Sequence, residues 1–171
     1  IQQLDTVSGI SAAIDPGEVL VAMCYEAGIE VTSLPGPAAC ITALTLSGLS
    51  TRRFAFEAFL PPDKKERKAI LEELKSETRT IILYEAPHHL VGTLEELYET
   101  LGNRRMTLCR ELTKKHETAF CSTIKDLLLF LLPESPRGFF PQLQERIHQG
   151  ASGPDKNQQI LNSTAKCGLV L

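Results

Sequence analysis

Apolar and polar positions along this chain change from one regular spacing to another, and each spacing predicts a type of element. Residues 15–28 carry apolar side chains at helical spacing, with Asp15 as a candidate N-cap and Gly28 as a candidate helix end. Residues 29–34 alternate as a strand would, and the small side chains of residues 38–48 predict a second helix after a Pro-Gly-Pro turn. The first part of the chain is therefore predicted to be helix, strand, helix.

The same alternation of spacings continues through the middle of the chain. The predicted elements are, in order, a strand at 54–59, a charged helix at 64–77, a strand at 80–84, a helix between Pro87 and Gly102, a strand at 106–109 and an apolar helix at 124–132. Strands that alternate with helices at this pitch are typical of an α/β protein. Beyond Pro141 the chain is polar and unpatterned, so residues 141–171 are predicted to be a flexible tail.

Length and composition limit the class of protein. At 171 residues, with 43% hydrophobic and 23% charged residues, the chain fits one soluble globular domain or two small ones. No run approaches the ~18 apolar residues of a membrane span, and residues 1–15 lack the features of a signal peptide, so a cytoplasmic protein is expected. The 5 cysteines are scattered without a Cys-x-x-Cys pair and the 4 histidines lack metal-ligand spacing, so neither disulfides nor a metal site is predicted.

Four short segments place turn-forming or polar residues where a predicted strand ends. They are Pro-Gly-Pro-Ala-Ala at 35–39, Phe-Glu-Ala-Phe-Leu-Pro at 56–61, Tyr-Glu-Ala-Pro-His-His at 84–89 and Arg-Glu-Leu-Thr-Lys at 110–114. In open α/β sheets, ligand sites form in the crevice beyond the carboxyl ends of the strands. The four segments together therefore predict one composite site.

The turn formed by Pro35, Gly36 and Pro37 leads directly into Ala38 and Ala39. Such a turn leaves backbone N–H groups free at a helix N-terminus, and small side chains let a flat ligand approach the main chain. A tight strand-to-helix turn without a ligand would favour the same residue types. Both interpretations are compatible with the sequence.

Two further segments carry side chains with polar or charged ends. Tyr84 and Glu85 could stack on and hydrogen-bond a purine or a ribose, or they could be a half-buried tyrosine beside a solvated glutamate. Glu111 could accept a hydrogen bond from a hydroxyl group and Lys114 could attract a phosphate. An ordinary exposed ion pair would have the same spacing.

The net charge of -3 excludes a generally basic coat, but a local basic face could still bind nucleic acid. Basic pairs occur at Arg52-Arg53, Lys64-Lys65, Arg67-Lys68, Arg104-Arg105 and Lys114-Lys115. They could face a phosphate backbone together, or lie on solvated faces, since acidic residues are interleaved. No G-x-G-x-x-G fingerprint, Walker loop or nucleophile elbow is present, which removes the usual support for NAD-dependent, ATP-dependent and hydrolase functions.

Taken in order, the four segments resemble the tetrapyrrole methylase superfamily, and within it the branch that methylates the 2′-hydroxyl of a cytidine in bacterial small-subunit ribosomal RNA. That branch typically carries P-G-P-S-A, F-x-x-E-G-F-L-P, Y-E-S-P-H-R and A-R-E-L-T-K, which correspond here to residues 35–39, 54–61, 84–89 and 109–114. The resemblance spans roughly residues 15–132, and the ordered combination of motifs is highly specific.

The resemblance implies an S-adenosylmethionine-dependent methyltransferase of two α/β domains, usually a homodimer, with the cofactor held between the domains. On this chain it implies a remnant of the first domain at 1–50, a nearly complete second domain with a mixed sheet and flanking helices at 51–140, and the unmatched tail. The cofactor-binding residues that it implies are Gly9, Ala12, Pro35, Gly36, Pro37, Ala38, Ala39, Tyr84, Glu85 and Leu112. Its candidate catalytic residues are Glu111 and Lys114.

Ribosomal RNA of the small subunit is the partner that the resemblance implies. The residues expected to bind it are Arg52, Arg53, Lys64, Lys65, Arg67, Lys68, His88 and Arg110. Catalysis would lie mainly in positioning the ribose oxygen against the methyl group.

The chain also departs from the family pattern. The opening strand and Pro-rich loop of the first domain are absent, and of the central Asp-Ala-Gly expected near residues 6–11 only Gly9 is kept. Ala58, Ala86 and His89 replace the usual Gly, Ser and Arg. We therefore expect an N-terminally truncated fragment. Two alternatives stay open, namely a tetrapyrrole C-methyltransferase and a non-catalytic remnant that serves only as a binding or dimerisation module.

Overall fold

A computed structural model describes residues 17–132 and 167–171 of the chain. Contacts between Cα atoms divide the chain into two units, Ile1–Thr42 and Ala43–Leu171. The predicted cofactor residues Gly9 and Ala12 lie outside the described residues, as does most of the predicted tail. The division after Thr42 comes earlier in the chain than the domain boundary expected at residue 50.

In the first unit, helix α1 covers Gly17–Glu26 and ends where the sequence predicts. Gly28 takes a left-handed conformation with φ 68°, and the Ile29 N–H donates to the Cys24 carbonyl at 2.8 Å. Residues 29–34 form no strand, so the strand predicted there was wrong. Alternation is not sufficient for a strand, because a strand also needs a neighbour, and no residue of the described ranges pairs with this stretch.

The second unit is built on one mixed sheet. Its strands are β1 Phe54–Phe59, β2 Thr80–Glu85, β3 Arg105–Arg110, β4 Thr118–Thr123 and β5 Cys167–Val170, in the spatial order β1-β2-β5-β3-β4. β1 and β2 are parallel, while β5 is antiparallel to both of its neighbours, β2 and β3. It follows that β1, β2 and β3 run in the same direction. The expected α/β fold with a mixed sheet is confirmed.

Three helices pack against one face of this sheet. They are α3 Lys64–Leu74, α4 Leu90–Leu101 and α5 Ile124–Leu131. Ile81 and Leu83 of β2, Leu169 of β5 and Leu108 of β3 bury their side chains in the same core. Within residues 17–132 and 167–171, no helix has the length and apolar character needed to cross a membrane.

The end of helix α2, which covers Ala39–Leu46, and the residue that follows it lie against the other face of the sheet. The Thr107 hydroxyl donates to the Ser47 carbonyl at 2.9 Å. A Cβ placed on Gly168 would lie 3.6 Å from the Cβ of Ala43. Because the central strands are covered on both faces, β2 is buried along its whole length and shows no polar alternation.

Two strands of the sheet escaped prediction from the sequence. β4 is an edge strand next to β3 whose residues are all exposed or half-buried, so no apolar pattern marks it. β5 falls in the predicted tail, yet it is the middle strand and its Leu169 is fully buried. The tail interpretation was therefore wrong for residues 167–171. A strand of 4 residues is too short to show a period, and its place between β2 and β3 depends on long-range pairing.

Candidate functional site

The ends of β1, β2 and β3 meet at one edge of the sheet, which we call the carboxyl edge. Phe59 of β1 pairs with Tyr84 of β2, Tyr84 pairs with Gly168 of β5, and Gly168 pairs with Cys109 of β3. Three of the four segments singled out from the sequence therefore leave the sheet at the same end, two of them from adjacent strands and the third beyond β5. The carboxyl edge of parallel strands is where open α/β sheets build ligand sites.

The fourth segment, residues 35–39, belongs to the first unit and is described there on its own. Its three turn residues and Ala39 are exposed, and Ala38 is half-buried. The Ala38 carbonyl accepts hydrogen bonds from the Thr42 N–H at 2.9 Å and the Thr42 hydroxyl at 3.0 Å. The segment is thus an exposed start of helix α2, with small side chains around its main chain.

Tyr84 lies in an aromatic group at the carboxyl edge. Its ring centroid is 5.2 Å from that of Phe56, in an edge-to-face arrangement, and 5.6 Å from that of Phe59. Tyr84 is buried, at 8% exposure. Aromatic pairs at these distances and angles stabilise one another beyond the area that they bury.

Glu85 is the last residue of β2, and its side chain is only 7% exposed. Its Oε1 accepts a hydrogen bond from the Ala86 N–H at 2.7 Å, and its Oε2 accepts one from the Thr93 hydroxyl at 2.5 Å. The same Oε2 lies 3.8 Å from Nη2 of Arg67. Both carboxylate oxygens are therefore engaged by the protein, on the face that the helices cover.

Arg67 of α3 was expected to bind RNA, but its guanidinium is directed towards α4. Its Nε donates to Oε2 of Glu96 at 2.6 Å, and its Nη2 donates to the Thr93 hydroxyl at 2.7 Å. Sequence reasoning missed Thr93 and Glu96. These two residues are three positions apart on a predicted helix, so they share one face of it. This spacing was the signal by which they could have been identified.

The loop after β3 has a strained residue on each side of Leu112. Glu111 and Thr113 take left-handed conformations, with φ 52° and 64°. These conformations are sterically unfavourable for residues that carry a Cβ. The Thr113 N–H donates to the Glu117 carboxylate at 2.6 Å, and Nζ of Lys114 lies 3.5 Å from Oε2 of Glu111. The two candidate catalytic residues are thus neighbours in a strained loop.

Other residues expected to bind RNA lie in different places. Arg52 and Arg53 are exposed and precede β1, at the edge of the sheet opposite the carboxyl edge. At that edge the Thr80 N–H, at the start of β2, donates to the Arg53 carbonyl at 3.3 Å. The structure therefore separates these two arginines from the strand ends.

The remaining residues of that set lie nearer the carboxyl edge. Lys64, Lys65 and Lys68 are exposed on α3, which begins shortly after β1 ends. His88 is exposed in the turn after β2. Arg110, at the end of β3, is buried at 9% exposure and offers little surface to a macromolecule.

Glu77 and Arg79 form a close ion pair just before β2, away from the carboxyl edge. The Arg79 side chain donates to both carboxylate oxygens of Glu77, at 3.0 Å and 2.5 Å, and the Arg79 backbone N–H donates to one of them at 2.7 Å. These hydrogen bonds favour the ionised carboxylate and lower the pKa of Glu77 from 4.5 to about 2. Among the residues that the structure describes, no group of His, Cys, Asp and Glu side chains could hold a metal ion.

Comparison with known proteins agrees with the resemblance found in the motifs. Residues 6–128 match a family model described as tetrapyrrole (corrin/porphyrin) methylases. A Synechocystis protein named ribosomal RNA small subunit methyltransferase I is 46% identical over 134 residues, which is 78% of this chain and 48% of the relative. A Haemophilus influenzae protein of the same name is 47% identical over 160 residues, which is 93% of this chain and 56% of the relative. The chain thus spans about half the length of these relatives.

Proposed function

The chain belongs to the tetrapyrrole methylase family, and we propose that it acts as an S-adenosylmethionine-dependent methyltransferase on small-subunit ribosomal RNA. The observation that carries the proposal is the 46% and 47% identity to relatives named for that activity. From the four motifs we extend the proposal to the 2′-hydroxyl of a cytidine ribose. The exposed basic residues favour RNA over a tetrapyrrole as substrate.

The described residues at the carboxyl edge fit S-adenosylmethionine in part. Strained backbone such as that on both sides of Leu112 is concentrated at ligand sites in proteins, and Tyr84 brings an aromatic ring to the same end of the sheet. Glu85 does not fit as a direct ligand, because its side chain is only 7% exposed and is directed to Thr93 on the face that the helices cover. We therefore assign Leu112 and Tyr84 to the cofactor.

When bound, the cofactor supplies a methyl group on a positively charged sulfur. In the proposed reaction an oxygen–carbon bond forms at the ribose, the carbon–sulfur bond breaks, and the hydroxyl proton passes to a base. Glu111 is our candidate for the base, and its side chain is 20% exposed. Lys114, 3.5 Å away, is suited to bind a neighbouring phosphate.

Basic residues beside the carboxyl edge support RNA as the substrate. Lys64 and Lys65 occupy the first turn of α3, where positive charge opposes the helix dipole. They therefore do not serve the stability of the helix, and a phosphate partner would account for them. Lys68 and His88 add to the same exposed basic group.

Arg52 and Arg53 contact a different stretch of RNA in this proposal. β1 has 6 residues and spans roughly 20 Å, which separates these arginines from the strand ends. Arg67 and Arg110 are left out of the proposed RNA surface, since the first is engaged with Glu96 and the second is buried.

Methyl transfer from S-adenosylmethionine with a labelled methyl group tests the proposal. We expect label in small ribosomal subunits that lack the modification and none in uroporphyrinogen. Label in the tetrapyrrole alone would contradict RNA as the substrate. Calorimetry with S-adenosylhomocysteine tests the cofactor, and no heat at millimolar concentration would favour a non-catalytic module.

A matched pair of variants tests the proposed base. Glu111→Gln should lower the rate of methyl transfer by about 100-fold, because it removes the proton acceptor. Glu95→Gln, at an exposed position on α4, should leave the rate unchanged. Equal rates in the two variants would exclude Glu111 as the base.

We also propose that the chain forms a homodimer, a proposal that depends on the family resemblance alone. Light scattering measures the mass directly. A monomeric mass across micromolar concentrations would contradict it.

A further inference from the structure

We propose that Arg67, Glu85, Thr93 and Glu96 form a clamp that holds the turn at residues 86–89 in place at the carboxyl edge. The inference deepens the proposed function and rests on it, because it makes these four side chains positioning residues of the methyl-transfer site. They touch neither the cofactor nor the RNA in this proposal.

The carboxylate of Glu85 accepts hydrogen bonds from residues on both sides of the turn. Oε1 of Glu85 accepts from the Ala86 N–H at 2.7 Å, where the chain leaves β2. Oε2 accepts from the Thr93 hydroxyl at 2.5 Å, in the first turn of α4. The turn and the first residues of α4 lie between these two anchor points, so the carboxylate limits how far the turn can move from the sheet.

The start of α4 lacks the side-chain cap that other helices of the second unit have. Asp63 accepts hydrogen bonds from backbone N–H groups at the start of α3, and Thr123 does so at the start of α5. The N-cap residue of α4 is His89, and its side chain makes no capping hydrogen bond. Glu85 does not replace this cap, because it accepts no hydrogen bond from a backbone N–H of α4, but through the Thr93 hydroxyl it ties the start of the helix to the end of the preceding strand.

Arg67 belongs to the clamp because it donates a hydrogen bond to the Thr93 hydroxyl, which in turn donates to Glu85. The Thr93 hydroxyl has one proton and donates it to Glu85, so towards Arg67 it can only accept. Arg67 donates to that hydroxyl and to Glu96, and its charge lies 3.8 Å from the buried carboxylate of Glu85. Burying a charged carboxylate to this extent costs free energy unless a cation lies nearby. Arg67 therefore ties α3, α4 and the end of β2 together.

Amide hydrogen exchange tests whether the clamp holds the turn. In Thr93→Val and Arg67→Met, exchange at residues 86–90 should rise about tenfold, the effect of one lost charged hydrogen bond. Thr93→Ser keeps the hydroxyl group and should exchange like the original chain. Lys75→Met removes an exposed charge just after the end of α3, outside the proposed RNA surface, and serves as the second control.

Two exchange results would overturn the clamp. Unchanged exchange at residues 86–90 in Thr93→Val would show that the turn is held by other contacts. Faster exchange that is equal in β3 and β4 would show only a general loss of stability. If Arg67→Met does not fold, the comparison of Thr93→Val with Thr93→Ser decides the question.

Binding of S-adenosylhomocysteine tests whether the clamp positions the site. We expect about tenfold weaker binding in Thr93→Val and in Arg67→Met, and unchanged binding in Thr93→Ser and Lys75→Met. Unchanged binding in Thr93→Val despite faster local exchange would reduce the clamp to a structural feature and overturn the positioning role. If the original chain binds no S-adenosylhomocysteine, the proposed function fails, while the exchange data still decide whether the clamp holds the turn.

Discussion

Tyr84 and Glu85 are adjacent at the end of β2, yet their side chains lie on opposite faces of the sheet. Tyr84 contacts the rings of Phe56 and Phe59, whereas the Glu85 carboxylate bonds to Thr93 of α4. Side chains alternate along a strand, so two neighbours in sequence face different partners. Substitutions at these two positions should therefore have separable effects.

Tyr84→Leu should lower the free energy of unfolding by about 1–2 kcal/mol, because it removes two aromatic contacts. The same change at Tyr98, which is 37% exposed on α4, should cost less than about 0.5 kcal/mol. Urea unfolding of both variants measures the difference. Equal losses would show that the ring contacts at the carboxyl edge add nothing.

Ala58→Gly should raise the free energy of unfolding by about 0.5 kcal/mol. Ala58 has φ 52° at an irregularity in the pairing of β1 with β2, and glycine adopts this conformation without steric cost. Ala55→Gly, at a buried and regularly paired position of the same strand, should instead lower stability by about 1 kcal/mol. Denaturant midpoints give both signs, and a loss of stability in Ala58→Gly would contradict the assignment of strain.

Leu169→Ala should lower the free energy of unfolding by about 2–5 kcal/mol, because Leu169 is fully buried in the middle strand. Leu46→Ala, at a position with 42% exposure, should cost less than about 0.5 kcal/mol. Thermal unfolding followed by circular dichroism compares the two. A small effect at Leu169 would mean that β5 is not a central strand in solution.

The ion pair of Glu77 with Arg79 should make stability depend on pH below the ordinary pKa of a glutamate. The pKa of Glu77 is lowered from 4.5 to about 2 in the folded chain. The ion pair therefore contributes fully to the free energy of unfolding above pH 4.5, and this contribution is lost as the pH falls through 2. Melting temperatures of the original chain and of Glu77→Gln should differ at pH 6 and converge near pH 2. A difference that stays constant over this range would contradict the lowered pKa.

Replacing Lys64 and Lys65 together by Gln should change stability and RNA binding in opposite directions. Stability should rise by about 0.5–1 kcal/mol, because two positive charges leave the first turn of α3. The affinity for small-subunit RNA should fall. The slope of log affinity against log salt concentration should become shallower by about 2, because about two fewer phosphate charges are neutralised.

The control for this pair of lysines removes the same charge elsewhere. Lys75 and Arg79 lie at the other end of α3 and beyond it, and both already form ion pairs with glutamates. Their joint replacement by Gln should leave the salt dependence of RNA binding nearly unchanged. An equal change in both double variants would indicate that net charge alone, and not the carboxyl edge, binds RNA.

Most elements in the middle of the chain could be predicted because their signals are local. Asp63 caps α3 through the Lys65 and Glu66 N–H groups, and Gly102 ends α4 with φ 75°. Helical spacing and capping depend on residues within a few positions of one another, so they can be found in the sequence. The strand predicted at residues 29–34 failed for the opposite reason, since pairing needs a distant partner.

The sequence by itself determined the family, through four ordered motifs, and the helices and strands whose spacing is regular over a turn or more. Only the tertiary structure decided that the last residues of the chain form the central strand, and that Arg67 is directed towards Thr93 and Glu96 rather than outwards. The physical reason is the range of the interactions. Periodicity and capping act between near neighbours, whereas strand order and the direction of a long side chain depend on which elements pack together.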